Sequence, residues 1–265
     1  MGKYTGYMIC TDLDGTFTEP SKDGRDIPYI SKENLDAVEY FKANGGLFTF
    51  STGRRPGYIK ENIFPFVTPN VPMITVNGAS IYDQESDRIL KSVFLPREVL
   101  NTPLEAFRKF GDSLEEVFII AETEEFNLQF SEENFCEKYK AVIALHDDWY
   151  KFVFRGVNEE ETIRFQKFLT EKYAHICSLP RSWQTGQEIL ALNATKGERV
   201  LELKKMYPEV HTLICVGDYE NDISMIEVAD KGYAVANAIE PVLKAADYVT
   251  VSNTESAIAK IISEI

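Results

Sequence analysis

The strongest constraint on the fold is a pattern found toward both ends of the chain: an apolar run of strand length that stops at a loop of small, polar or acidic residues. Tyr7 to Cys10 leads into Asp12-Leu-Asp-Gly-Thr16, Leu47 to Phe50 into Ser51-Thr-Gly-Arg54, Met73 to Val76 into Asn77-Gly78, and Leu213 to Val216 into Gly217-Asp218. Short apolar runs bounded by turn formers read as buried strands. Helical spacing lies between them. Behind a candidate Ser31 cap, Leu35, Val38 and Phe41 recur at helical intervals until Gly45-Gly46 stops the helix. After Lys196 the order is helix to Met206, strand Leu213 to Val216, helix Asn221 to Ala229, strand Tyr233 to Ala236, and a final helix from Glu255. Strands alternating with helices signal an α/β fold with a parallel sheet.

The middle of the chain differs. From Asp83 to Ala191 the strands are more aromatic (Val117 to Ile120, Trp149 to Phe154) and alternate with two helical stretches, Arg97 to Phe110 and Glu159 to Tyr173. This reads as an inserted α+β domain, a sheet covered on one face by helices. The expected division is residues 1–82 plus 192–265 as one domain and 83–191 as the insert, a size that 265 residues accommodate.

Charge narrows the function. Lys and Arg number 28 against 42 Asp and Glu, a net charge of −14, which repels nucleic acid backbones. A small phosphorylated substrate would be repelled as well, so a phosphate enzyme of this composition needs a metal cation and local basic groups. Cys10, Cys136, Cys177 and Cys215 are widely spaced without a CxxC pair, which reads as reduced cysteines. The start lacks an apolar signal core, and no apolar run approaches the roughly 18 residues of a membrane span. A cytoplasmic protein that does not bind membranes is expected. No feature of the sequence sets an oligomeric state.

The chemistry concentrates at the strand ends. Asp12 and Asp14 sit two apart, where an extended backbone would send both side chains to one face. Two carboxylates so close repel unless a cation joins them, and Mg²⁺ suits such oxygen ligands; an acidic surface turn is the plainer alternative. The second cluster, Gly217-Asp218-Tyr-Glu-Asn221-Asp222, would emerge at the same edge of a parallel sheet. Asp218 could complete a metal site there, with Asp222 orienting a water or a neighbouring ammonium. Asn221 or Asp222 could equally cap the next helix. Ser51-Thr52-Gly53-Arg54 offers a hydroxyl and backbone N–H groups at a helix start, a cradle for phosphoryl oxygens or a simple cap. Lys196 opens a helix, against the helix dipole, which makes sense if it faces an anion.

In this order the motifs Asp12-Leu-Asp-Gly-Thr16, Ser51-Thr-Gly-Arg54, Lys196-Gly197 and Gly217-Asp-Tyr-Glu-Asn-Asp222 resemble those of the haloacid dehalogenase superfamily of phosphohydrolases. The long insert, Asn77-Gly-Ala79 and Asn237-Ala238 resemble the Cof-type subfamily. The resemblance implies a Rossmann-like parallel-sheet core with an inserted α+β cap domain that sets substrate choice. It further implies that Asp12 attacks phosphorus to form an aspartyl phosphate and that Asp14 serves as general acid and then base. Mg²⁺ would be held by the Asp12 carboxylate, the Asp14 backbone carbonyl and Asp218, with Asp222 behind them. Thr52 and Lys196 would grip the phosphoryl oxygens, with Gly53, Arg54, Asn77 and Asn221 as further substrate-binding or loop-positioning residues. Phe17 stands where the family has Leu, and Val235-Ala236 where it often has Met-Gly; neither bears on catalysis.

The function so implied is a Mg²⁺-dependent phosphatase of a small phosphorylated metabolite. A phosphotransferase or phosphomutase using the same aspartyl phosphate is one alternative, and a non-catalytic metabolite-binding protein on the same fold is another. In the insert, Arg181, Trp183 and Gln184 could reach a sugar or aromatic ring, against a plainer reading of packing and solvation. His146-Asp147-Asp148, His175 and His211 read as solvated or structural.

Overall fold

The computed structural model describes residues 2–20 and 28–265, which divide into two compact units, residues 1–91 with 195–265 and residues 92–194. In chain order the first unit holds β1 (Tyr7–Thr11), α1 (Lys32–Ala43), β2 (Leu47–Phe50), α2 (Pro56–Asn62), β3 (Met73–Thr75), β4 (Ser80–Asp83) and β5 (Arg88–Ser92). The second holds α3 (Thr102–Phe110), β6 (Leu114–Ile120), β7 (Glu125–Gln129), α4 (Phe135–Ile143), β8 (Lys151–Gly156), α5 (Glu159–Tyr173), β9 (Cys177–Ser178), β10 (Arg181–Trp183) and β11 (Gly186–Ala191). The chain then returns to the first unit with α6 (Lys196–Met206), β12 (Thr212–Gly217), α7 (Ile223–Glu227), β13 (Lys231–Ala234), α8 (Glu240–Ala245), β14 (Tyr248–Val249) and α9 (Ala257–Glu264).

The first unit is built on a parallel sheet in the order β14-β13-β12-β1-β2. Side chains alternate across it, and both faces are covered. Ile9, Phe48, Ile214 and Val216 pack with Val38 and Phe41 of α1 and Ile258 and Ile261 of α9. Met8, Cys10, Leu213 and Cys215 pack with Val200 and Leu203 of α6. That double burial explains why these strands read as continuous apolar runs. Helix α1 begins where expected: the Ser31 side chain accepts from the Asn34 N–H, and Gly45 lies just past the end at φ 89°.

Met73 to Val76 departs from the reading as a strand of the parallel sheet. It forms β3 of a separate three-stranded sheet, β3-β4-β5, and runs parallel to the end of β2 with one isolated bridge, Ser51 to Ile74, just past that strand. The hairpin that follows it carries the chain to Lys91 within this unit, past the boundary at 82 expected from composition. Helix Asn221 to Ala229 is instead a 3₁₀ turn, Glu220–Asp222, followed by the short α7, and helix Arg97 to Phe110 breaks at Asn101 before α3. In the first, Asp222 closes the turn by accepting the Tyr219 N–H. Helix α8 and the edge strand β14 have too few apolar residues to show a period.

The second unit is an antiparallel sheet, β10-β11-β8-β6-β7, with β9 added on β11. Phe152, Phe154 and Ile189 point into a core with Phe130, Phe135, Phe165 and Leu169. Lys151, on the opposite sheet face from Phe152, is buried with Glu188 at 3.0 Å. Helix α4 has no counterpart in the sequence reading, which placed two helices in this region. All four cysteines are free thiols.

Candidate active site

The sheet register brings the two acidic clusters together. Thr11 pairs with Val216, and the Asp12 N–H donates to the Val216 carbonyl at 2.9 Å, so the loops after β1 and β12 leave the same edge side by side. Asp12 is 5% exposed, and its Oδ1 accepts from the Lys196 ammonium at 2.6 Å. The same ammonium donates to Asp222 Oδ1 at 2.5 Å. Asp222 Oδ2 accepts the backbone N–H groups of Asp218 and Tyr219, at 2.9 and 3.2 Å. Asp222 therefore caps its own turn and holds Lys196 at once. Carboxylate oxygens of Asp12, Asp218 and Asp222 all lie within 4.8 Å of one another.

Burial and neighbouring charge act on these acids together. Burial pushes the Asp12 carboxyl well above the usual carboxylate range, with the Lys196 charge opposing and the Asp222 and Asp218 charges adding. Burial and the Asp222 charge push Asp218 up to about 7, although the Thr16 hydroxyl, donating to Asp218 Oδ1 at 3.0 Å, pulls the other way. Burial alone would lower the Lys196 ammonium, but the Asp12 and Asp222 charges outweigh it and raise it. Three clustered carboxylates against one ammonium leave a deficit of positive charge, and this donor set suits a hard divalent cation.

Asp14 goes elsewhere. The extended-backbone expectation fails because β1 ends at Thr11 and the chain turns: the N–H groups of Phe17 and Thr18 both donate to the Leu13 carbonyl, and Gly15 takes φ 83°. A Cβ at Gly15 would sit 2.6 Å from Asp218 Oδ2. Consequently the Asp14 side chain is 44% exposed and outside the acidic cluster, paired through both oxygens with Arg54 at 2.9 and 3.0 Å. Arg54 in turn stacks on Tyr58, 4.2 Å from ring centroid to guanidinium carbon. The two neighbouring acids thus have separate cations, Lys196 and Arg54, which supply the local basic groups required of so acidic a chain.

Thr52 is fully buried after β2, with Oγ1 accepting the Arg54 N–H at 3.1 Å and its own N–H held by the Ile74 carbonyl. The turn after β3 is strained: Val76 and Asn77 have φ 53° and 55°, and Gly78 follows at 94°. A β-branched residue there is an outlier costing on the order of 1–3 kcal/mol, of the kind kept where surrounding contacts fix it. Asn221 Nδ2 donates to Asn77 Oδ1 at 3.1 Å. Two positioning contacts were not assigned from sequence. Thr16 holds Asp218, and Asn237 donates to the Gly15 carbonyl at 2.9 Å while accepting the Asn253 N–H. Thr16 could have been found as the last residue of the first motif.

In the second unit, Arg181 and Gln184 both bond Glu159 at the start of α5, at 3.3 and 2.7 Å, and the Trp183 ring lies against Gly186. His146 pairs with Glu124 at 2.7 Å and meets Trp149 edge-on; His175 is exposed, and His211 bonds the Thr212 hydroxyl.

Residues 9–262 match the family described as haloacid dehalogenase-like hydrolases. The chain belongs to that family. Among its relatives is YxeH of Bacillus subtilis, 27% identical over 274 residues, covering 97% of each chain. Another is the 5-amino-6-(5-phospho-D-ribitylamino)uracil phosphatase YcsE of the same organism, 26% identical over 258 residues, covering 96% of this chain and 94% of YcsE. A solved haloacid dehalogenase-like hydrolase from B. subtilis superposes with a TM-score of 0.79 at 23% identity, over 97% of this chain and 99% of that one. The parallel-sheet core with an additional antiparallel unit is therefore the fold of haloacid dehalogenase-like hydrolases, and the chain is an enzyme of hydrolase type. Among the described residues, no helix is long and apolar enough to cross a membrane.

Proposed function

We propose that this chain is a magnesium-dependent phosphatase that hydrolyses a small phosphorylated metabolite, a sugar phosphate or similar monoester, through an aspartyl phosphate on Asp12. The observation that carries this reading is the Lys196 ammonium between Asp12 and Asp222, with Asp218 beside them. The phosphatase YcsE, related over nearly the whole chain, supports it further. A cytoplasmic location accompanies a soluble metabolite substrate. Residues 92–194 are the proposed cap that selects it.

Asp12 is the nucleophile. Lys196 holds Oδ1, while Oδ2 makes no hydrogen bond among the described residues. A carboxylate oxygen attacks phosphorus, the ester P–O bond breaks, and the leaving oxygen takes a proton from Asp14. Asp14 then removes a proton from water as that water attacks the aspartyl phosphate, releasing phosphate and restoring Asp12. Both Asp14 oxygens pair with Arg54 in the structure, so the proposed proton transfer requires that pair to open. The Thr52 hydroxyl and Lys196 ammonium hold the phosphoryl oxygens, stabilising charge in the transition state. Asp12, the Asp14 carbonyl and Asp218 would hold Mg²⁺, with Asp222 in support, and the bound ion would neutralise charge on the transferring group.

The test is release of inorganic phosphate from para-nitrophenyl phosphate with and without Mg²⁺, followed by a panel of phosphorylated metabolites. Mg²⁺-dependent release without an acceptor alcohol is expected. Turnover only when an alcohol is supplied would instead mark a phosphotransferase, and none under either condition a binding protein.

The site also links pH to metal. The folded carboxyls of Asp12 and Asp218 lie above their unfolded values, so without metal the fold binds more protons than the unfolded chain between about pH 4 and 7. Stability therefore falls as pH rises through that window, by up to about 1.4 kcal/mol per pH unit for each proton. A cation that binds only the ionised cluster reverses the loss. Mg²⁺ is expected to raise the melting temperature by more at about pH 8 than at about pH 5.5. Equal shifts at the two values would contradict a metal site made of these acids.

A further inference from the structure

The turn between β3 and β4 touches three of the loops that carry the proposed chemistry. The Asn77 N–H donates to the Thr52 carbonyl at 2.9 Å, and the Val76 N–H to the Arg54 carbonyl at 3.1 Å. Gly53 leaves room for the Asn77 side chain, since a Cβ there would lie 3.2 Å from both Asn77 Oδ1 and Nδ2. Gly78 packs so closely that a Cβ would sit 2.3 Å from the carbonyl of Thr195, the residue that caps the helix opening with Lys196. On its far side Asn77 Oδ1 accepts from Asn221 Nδ2, one residue before Asp222. The other amide atom of Asn221, Oδ1, is buried without a hydrogen-bond partner, so the contact to Asn77 anchors that side chain. Asparagine tolerates the left-handed backbone this turn requires and still supplies a side-chain acceptor.

We propose that Asn77 is a positioning residue whose amide ties the Thr52–Arg54 loop to the Gly217–Asp222 loop, fixing the spacing between the groups that hold phosphoryl oxygens and the acids that hold the cation. This rests on the phosphatase reading above. The tie joins two neutral amides and moves no proton, so its loss lowers the rate without changing the shape of the pH profile.

Three variants test it: Asn77→Gly, which keeps the left-handed backbone and removes the amide, Asn221→Ala, and the double variant. In metal-free protein, Asn221→Ala is expected to raise hydrogen exchange at the Val76 and Asn77 amides, which bond the 52–54 loop rather than Asn221 itself, by about three- to tenfold. Each single variant is expected to lower kcat by about three- to tenfold with KM within about twofold, and the double variant to fall no further, because one contact is removed twice. Unchanged exchange at Val76 and Asn77 in Asn221→Ala overturns the proposal, as do losses in kcat that multiply in the double variant. If Asn77→Gly does not fold, Asn221→Ala decides the matter through the same amides. If the unmodified protein releases no phosphate from any substrate, the proposed reaction fails, and exchange in the metal-free protein still judges the tie.

Discussion

Asp12→Asn is expected to abolish phosphate release, by on the order of 10⁴-fold or more, the scale on which removal of an activated nucleophile is felt. The fold should survive the change. Asparagine has the shape of aspartate, its carbonyl oxygen still accepts from Lys196, and Lys196 keeps its bond to Asp222 at 2.5 Å. The backbone contact from Asp12 N–H to Val216 is untouched. What is lost is a buried negative charge that burial and two neighbouring carboxylates disfavour. Without metal at about pH 8 the variant should therefore melt no lower than the unmodified protein, and its gain from added Mg²⁺ should shrink with one ligand removed. Phosphate release within about tenfold of the unmodified protein would remove Asp12 from the mechanism. A pronounced drop in melting temperature would show that the charge of Asp12 stabilises the metal-free fold, against the argument from burial.

That the four charged residues of the cluster were legible in sequence has a physical reason. Each follows or opens a regular element whose boundaries the sequence marks: Asp12 after an apolar strand, Asp218 after Gly217, Asp222 as a candidate cap of the next helix, and Lys196 at the start of another. Parallel pairing of β1 with β12 then brings residues 12 and 218 to one edge whatever the loops do. The path of a loop is harder to read. Asp14 follows Asp12 by two residues, yet a turn about Leu13 sends it to Arg54, a pairing set by tertiary geometry across 40 positions. The Asn77-Gly78 turn was visible, but the positive φ of Val76 was not, because nothing in a valine announces it. Short elements failed for the same reason: β14 is two residues long and owes its place to parallel pairing with β13 and stacking of Tyr248 on Tyr233. In the second unit, α4 buries only Phe135 and Tyr139, too few apolar positions for a period to stand out.

Lys196→Ala is expected to have the largest effect on stability. Its side chain is fully buried between Asp12 and Asp222. Exposed ion pairs contribute little, but removing one partner of a buried set leaves uncompensated charge and costs about 3–5 kcal/mol. The sign of the pH dependence follows. With the ammonium gone, Asp12 loses the charge that opposes its upward shift, so its folded value rises further above the unfolded one. The variant should accordingly be least stable, relative to the unmodified protein, in metal-free buffer at about pH 8, and should recover as the acids protonate toward about pH 5. Adding Asp12→Asn to Lys196→Ala should restore more than half of the loss at the higher pH. The remaining acid at that position, Asp222, still has two backbone N–H groups on Oδ2. Activity should fall by about 10²–10³-fold, as when a preorganised donor to a transferring group is removed. Chemical denaturation of the three proteins at both pH values measures all but the last of these. A Lys196→Ala protein as stable as the unmodified one at about pH 8 would mean that the buried acids are already neutral there, and the deficit of positive charge on which the proposed cation site rests would not exist.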